Sequence, residues 1–517
     1  MHKAINKTIQ YSSVSIRYSV ILFIVLFLSQ FSIGIAQTAS SSPYSRYGIG
    51  DLTGKGFAQN FAMGGTTIAM QSDSLPMFFI NNGNPASYSN IRLTTADLGV
   101  NYSRVQLQNA DVKKSINSAS VSNVALAFPF KKWWGASIGL MPYSSVGYKV
   151  TDHQEISNIG GVDFLYDGSG GINQLYFGNG IKPFYGLPRR YQNSKKYARL
   201  NSAKRPDNVL KTCTEAFDDY MKAKKSLNRK KLLQSISMGA NSSYLFGGFD
   251  NSKRSIFSSS TYSYSTRSMT KTRVSDLYFD YGMQMSYTVD SIRYKDSKDS
   301  CKPVKYRDLK ENVKILLGAT FSAQTDVKAK IDSISYNYYQ DAQGYERSLD
   351  TIENTENSKG TIRFPLSFGF GFGFQKGDKW IVAADFAVQN WSTFQAFNQA
   401  SNLKNSMRVS LGAQYVPNSK ASGEGNYPKR MHYRMGVRYA QTALELKNTR
   451  LTEYGVSAGI GFPVGRNYLL QSFSMVNIGL EIGQRGTITN GLIKEQFFKA
   501  TIGFTINDRW FVKPKFD

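Results

Sequence analysis

Phe498-Lys499-Ala500-Thr501-Ile502-Gly503-Phe504-Thr505-Ile506-Asn507 has an apolar residue at every even position and a polar residue or glycine at every odd one. Such alternation puts one face of an extended strand in an apolar medium and the other in a polar space. The same pattern returns upstream. Val476, Ile478, Leu480 and Ile482 alternate with Asn477, Gly479, Glu481 and Gly483, and Phe368, Phe370, Phe372 and Phe374 alternate with Gly369, Gly371 and Gly373. Residues 454–462 and 407–415 repeat it. Fourteen candidate strands start near Leu93, Val121, Trp134, Ile172, Ile236, Leu277, Val313, Phe364, Trp380, Met407, Tyr433, Tyr454, Met475 and Phe497.

A soluble sandwich also alternates, with its polar face in water. Three features point to a membrane barrel. The strands read as about ten residues long, which matches a tilted bilayer span. Aromatic residues stand at strand ends (Trp133-Trp134, Trp380, Trp391, Trp510), like an interfacial girdle. The N-terminus reads as an export signal: basic His2, Lys3, Lys7 and Arg17, an apolar run at 20–28, and Gly34-Ile35-Ala36 before Gln37. A closed barrel also leaves no strand edge in lipid. The expectation is an all-β transmembrane antiparallel barrel in the outer membrane of a Gram-negative bacterium. Residues 1–36 would be the signal peptide, 37–90 an N-terminal extension and hatch, and 91–517 the barrel. The connections at 106–118, 151–167, 251–272 and 333–359 read as outward loops, and Gly168-Ser169-Gly170-Gly171 as a loop-to-strand turn. Short turns such as 130–132 and 376–379 read as periplasmic.

The 517 residues carry 63 Lys and Arg against 36 Asp and Glu, a net charge of +27. That balance would fit nucleic-acid binding, but an exported chain meets no nucleic acid. Aromatic content of 14% argues against disorder. Two cysteines and three histidines offer no metal cluster, and no motif calls for a cofactor. An enzyme is not expected. His153 beside Asp152 and Glu155 has the residue types of an acid–base site, yet no nucleophile elbow accompanies it.

Ahead of the first strand, residues 54–89 do not alternate. They include Phe57-Ala58-Gln59-Asn60-Phe61-Ala62-Met63-Gly64-Gly65, then Asp73-Ser74, then Asn84-Pro85-Ala86. This arrangement resembles the FadL family of outer-membrane transporters of hydrophobic compounds, in particular its Bacteroidetes branch. The stretch at 139–148 and Asn507-Asp508-Arg509-Trp510-Phe511 are similar to that branch as well. The resemblance implies a barrel closed by an N-terminal hatch, with Asn84, Pro85 and Ala86 in the hatch. It also implies a hydrophobic ligand that leaves sideways through a kinked third strand. Here that strand carries Met141, Pro142 and Tyr143, and proline cannot donate to a ladder. Either the wall opens there or the proline only ends pairing beside an outward loop. Phe57, Phe61, Met63, Leu75, Met77, Phe78, Phe79 and Ile80 would line a pocket or pack the hatch into the barrel.

Inward positions Asp97, Asp280, Asp385, Lys314, Arg408, Arg434, Arg438, Glu481 and Lys499 would make a mutually neutralised lumen. Alternatively, Arg408, Arg434 and Arg438 would attract a ligand carboxylate. Residues 188–231 break the pattern, with fourteen basic and four acidic residues. They read as a helical insertion in a periplasmic turn. That insertion is either a docking element for an acidic periplasmic protein or anionic lipid, or a solvated excursion. Two functions stay open: passive uptake of fatty-acid-like or aromatic molecules, with outer-membrane lipid around the barrel, or a structural barrel of a secretion or envelope complex that binds protein partners.

Cys213 and Cys301 fall in two connections on the same rim. The periplasm permits a disulfide, and closing a loop this long would stabilise the fold by about 4 kcal/mol. Mass spectrometry of a non-reduced tryptic digest should show the crosslinked peptide. Two alkylatable thiols in protein from native membrane would refute the pairing.

Overall fold

The structure is a computed structural model. It describes residues 42–508 except 73–77, 111, 158–159, 186–231, 258–263, 290–312, 342, 344, 422 and 468–471. The signal peptide, the basic insertion, both cysteines, Leu75, Met77 and Trp510 lie outside the described residues.

The wall is one antiparallel sheet of fourteen strands closed on itself. In chain order they are β1 (Thr94–Gln108), β2 (Lys113–Lys131), β3 (Trp134–Ile156), β4 (Gly160–Ile181), β5 (Ser237–Phe257) and β6 (Ser265–Val289). Then come β7 (Val313–Ser322 and Thr325–Gln340) and β8 (Glu346–Phe364 and Ser367–Lys376), each broken once. The remainder are β9 (Trp380–Gln389), β10 (Ser406–Tyr415), β11 (His432–Leu446), β12 (Thr449–Asn467), β13 (Ser472–Arg485) and β14 (Lys494–Asp508). Neighbours in sequence pair in space, and β14 closes the ring on β1, from Lys494 opposite Gln108 to Asp508 opposite Thr94.

Alternation decides which face each side chain takes. The outer face is a belt of large apolar residues that no protein group covers: Phe370 is 60% exposed, Met435 65% and Ile482 61%. Such a belt is stable only against lipid. The inner face alternates with it and is mostly polar or small, with an apolar stretch on β4 to β8. The lower end carries the short turns at 132–133 and 377–379. At the upper end Lys447 and Asn448 take φ of 47° and 59°, the left-handed pair of a two-residue hairpin.

The strands are longer than the sequence pattern indicates. β3 runs 23 residues and β6 runs 25, so stretches of 106–118, 151–167, 251–272 and 333–359 read as loops are largely strand. The glycine run at 168–171 is likewise internal to β4. The reason is physical. Above the belt both faces of the wall meet water, so apolar alternation stops while backbone pairing continues. The upper parts of β3 to β8 form a tall half-wall. Its edge on upper β8 carries three register shifts and the charged residues Glu353, Glu356 and Lys359, devices that discourage further strand pairing. Trp391 departs from the girdle reading as well. It is 5% exposed, because the chain after β9 folds inward through Trp391–Thr393 and pairs Gln395 and Ala396 with Arg363 and Ile362.

Candidate functional site: the lumen and the β2–β3 opening

The described residues of 42–91 lie against the inward face of the wall. The chain turns through Ala58–Phe61 and enters a 3-10 turn at Pro85–Asn90, where the Asn84 side chain caps by accepting from the Ala86 N–H at 3.2 Å. Asn84 Nδ2 also donates to the carbonyls of Ile68 (2.8 Å) and Met283 on β6 (3.1 Å). The Asp385 carboxylate on β9 accepts the N–H groups of Thr67 (2.6 Å) and Ile68 (2.9 Å). Gln284 on β6 donates to the Ile68 carbonyl at 2.9 Å, Ser457 on β12 accepts from the Gly64 N–H at 2.9 Å, and Lys55 pairs with Asp280 on β6 at 2.8 Å. One segment therefore bonds to strands on opposite sides of the ring.

The wall is shaped to receive it. A Cβ on Gly436 would lie 2.1 Å from the Gly64 nitrogen, and one on Gly412 would lie 2.2 Å from the Met63 oxygen. Gly239 and Gly318 approach the backbones of Pro85 and Ile68 as closely. Glycine at these inward positions lets two backbones touch. Phe57 is buried with Ile80, Tyr88, Ala125, Met141 and Tyr176. Met63 and Phe79 pack with Met70, Ile381 and Ala383. Ala86 is fully buried, while Phe61 against Gly479 and Phe78 are half-buried.

Beside Pro142 the ladder changes. β3 pairs with β2 only from Lys131 opposite Trp134 to Val124 opposite Leu140. Above that, β2 continues with β1 and β3 continues with β4, with one register shift between Pro142 and Ser144. The freed edge of β3 is taken in part by the chain's own Asp51–Leu52, which pair with Ser145 and Ser144, and the Thr53 N–H donates to the Tyr143 carbonyl at 3.0 Å. Asp51 turns into the lumen to Arg485 on β13 at 2.7 Å. By strand alternation its neighbour Leu52, 39% exposed, turns the opposite way, into the opening. Sequence reading placed an extension and hatch at 37–90 but assigned no role to residues 42–53. Their carboxylate, tyrosine and serine partners lie more than 400 residues away, at Arg485, Ile493 and Glu495.

The lumen has two unlike halves. On β4 to β8, Ile172, Leu245, Val274, Tyr278, Val327 and Phe364 form an apolar cluster with Ile49, Trp391 and Phe394. Tyr143 joins it, its ring 5.5 Å from Phe364 and 5.9 Å from Tyr278. On β10 to β14 the lining is ionic. Arg438 bridges Glu453 and Glu481, and Arg485 bridges Asp51 and Glu495. Arg408 donates to the Gly64 carbonyl at 3.3 Å. Arg434 is held by Gln414 and Asn477, each at 2.7 Å. The three arginines Arg408, Arg434 and Arg438 are thus separately engaged rather than gathered as one carboxylate clamp. His153 lies high on β3, exposed, with Nδ1 2.6 Å from Asp163. Hydrogen bonds to the Asp163 and Glu155 carboxylates hold its imidazole above the ordinary histidine value. Among the described residues no group of three or more His, Cys, Asp or Glu side chains could hold a metal.

Solved structures with a similar fold include a monoaromatic hydrocarbon channel, CymD, at 13% identity and TM-score 0.44, covering 89% of this chain and 98% of that one. A Pseudomonas aeruginosa FadL homologue matches at 10% identity and TM-score 0.48, covering 89% and 99%. The Pseudomonas putida toluene transporter TodX matches at 12% and 0.47, covering 89% and 100%. No curated protein sequence matches. The BamG family model matches residues 16–188 and 303–517, well over half of the chain, and the chain belongs to the BamG family.

Proposed function

We propose that this chain is an outer-membrane barrel that passes a hydrophobic small molecule, fatty-acid-like or aromatic, between the outside and the membrane by a sideways route. The observation that carries this reading is the lapse of β2–β3 pairing above Leu140, directly in front of the apolar lumen cluster. Residues 54–89 act as the hatch, with Phe57, Phe61, Met63, Phe78, Phe79 and Asn84-Pro85-Ala86 packing it into the wall. Met141, Pro142 and Tyr143 act as the lateral gate, and the lower end faces the periplasm. Arg408, Arg434 and Arg438 neutralise and anchor. In the closed form Ile49, Trp391 and Phe394 occupy the apolar half, so ligand entry requires them to part from Phe364.

Native mass spectrometry of the purified full chain tests this. A bound lipid-like or aromatic species is expected, and Phe364→Asp, which puts a carboxylate in the apolar cluster, should abolish it. A ligand-free spectrum from gently extracted protein would sink the uptake reading.

A second reading is favoured by the tall half-wall. It rises above the lipid belt on β3 to β8 and has no part in closing the lower lumen. In that reading the barrel is a structural member of an envelope complex. It would present this wall, and at the periplasmic end residues 188–231, to protein partners. A ligand-free barrel that crosslinks in native membrane through upper β3 to one defined envelope protein would favour it.

A further inference from the structure

The two ends of the wall carry charge differently. Every side-chain ion pair among the described residues lies in the lumen or in the upper half, such as Arg273 with Asp332, Arg363 with Asp326 and Lys404 with Glu445. At the lower end, the connections 376–379 and 417–431 hold Lys376, Lys379, Lys420, Lys429 and Arg430 against Asp378 and Glu424. None of these five cations has a carboxylate partner among the described residues.

Three of them adjoin the lipid belt. Phe370, Phe372 and Phe374 face outward on lower β8, so Lys376, at the end of the same strand, faces outward as well. Lys376 stands opposite Trp380 on β9, Trp380 opposite Tyr415 on β10, and Tyr415 opposite Tyr433 on β11. The Trp380 and Tyr415 rings lie 4.4 Å apart, and the Tyr433 hydroxyl donates to the Pro428 carbonyl at 3.1 Å. Lys379 precedes Trp380 in the turn, where its carbonyl accepts the Val416 N–H at 2.8 Å. The Arg430 guanidinium lies 5.1 Å from the Tyr427 ring, and its Nε is buried with no hydrogen-bond partner. A row of aromatic rings with cations just beyond it marks the depth at which a bilayer turns from acyl chain to headgroup. The turn at 131–133 repeats the arrangement, with Lys131 Nζ 5.4 Å from the Trp133 ring.

We infer that the strip from Lys376 across β9 and β10 to Tyr433, with Lys379 and Arg430 along its lower margin, binds the phosphates of anionic glycerophospholipid in the inner leaflet. The acyl chains continue the lipid contact that the belt already makes, and the phosphates supply the negative charge that the protein does not. Bound lipid of this kind fixes the depth of the barrel whether it transports or serves as a scaffold. The inner-leaflet assignment rests on the lower end facing the periplasm.

The thermal unfolding midpoint of the full chain in neutral detergent should rise more with dioleoyl phosphatidylglycerol than with dioleoyl phosphatidylcholine. The difference should shrink in high salt, because the contacts are exposed. Replacing Lys376, Lys379 and Arg430 together by Gln should raise the half-effective phosphatidylglycerol concentration on the order of a hundredfold, since each cation near an anionic surface contributes separately. Lys113→Gln with Lys114→Gln, at the upper end, should leave it unchanged. Equal shifts with the two lipids would overturn the inference, as would a triple variant that keeps the full preference. Orientation is read separately: an Asp378→Cys variant that an impermeant maleimide labels on intact cells would place the strip in the outer leaflet and overturn the assignment to inner-leaflet lipid.

Discussion

Replacing residues 54–89 by a Gly-Ser linker of equal length should convert a sealed barrel into a conducting one. In planar bilayers the variant should show discrete conductance steps, where the full chain shows none under the same conditions. The expectation rests on how the segment is seated. Asp385, Gln284, Ser457 and Asn84 fix its backbone to β6, β9 and β12, and wall glycines at 412 and 436 bring it to backbone contact. A Gly-Ser chain has neither the apolar side chains nor the fixed turns to occupy that seat and would behave as a flexible coil. The inner face it uncovers is largely polar or small, with Met141, Tyr176 and Ile381 among its few larger apolar residues, so water can fill it. Conductance indistinguishable from the full chain would rule out the hatch role.

Arg438→Met should destabilise the folded barrel by about 3–5 kcal/mol, because it strands two acidic side chains that share one cation. Glu453 and Glu481 are 14% and 4% exposed at the side chain and both bond to Arg438. With the arginine gone both carboxylates border the space it filled, on adjacent strands. A double variant that also carries Glu481→Gln should recover part of the loss, since it removes the like-charge repulsion. The urea midpoint of barrel refolded in detergent checks both variants. A loss below about 1 kcal/mol for Arg438→Met would mean that the lumen around it is effectively aqueous.

The wall was legible in the sequence because lipid imposes a sharp rule. Phe368, Phe370, Phe372 and Phe374 must face out and the intervening glycines in, so the lower half of β8 shows in the sequence directly. The same rule is silent above the belt. Residues 346–360 pair with upper β7, yet they are almost entirely exposed on both faces and carry no alternation to detect. The N-terminal segment inside the wall was partly visible, since Phe57, Met63 and Phe79 are too apolar to sit in water. Its anchors were not. Asp385 reads as one more inward carboxylate on β9, and nothing local shows that it accepts two N–H groups from residues 67 and 68. Ser42, Tyr44 and Asp51 are ordinary polar residues until Arg485, Ile493 and Glu495 are brought beside them. Such pairings join opposite ends of the chain, and only closure of the ring creates them.

That ring closure constrains the order of assembly. β1 finds β14 across nearly the entire barrel sequence, the longest-range ladder in the molecule, and contacts of such separation form slowly. Ser42 bonds to β14 high in the lumen, while Thr94 starts the wall at the lower end, so the N-terminal segment crosses the interior before the first strand begins. A finished ring would have to be threaded by its own N-terminus. That segment must instead be laid down while the sheet is still an open ribbon, with the β14–β1 seam zipped over it last. A cysteine at Gly412, beneath Met63, should therefore lose reactivity before pairing between residues 94 and 508 is complete in a refolding time course. Protection that arrives only after the seam has closed would show that the chain threads a preformed ring.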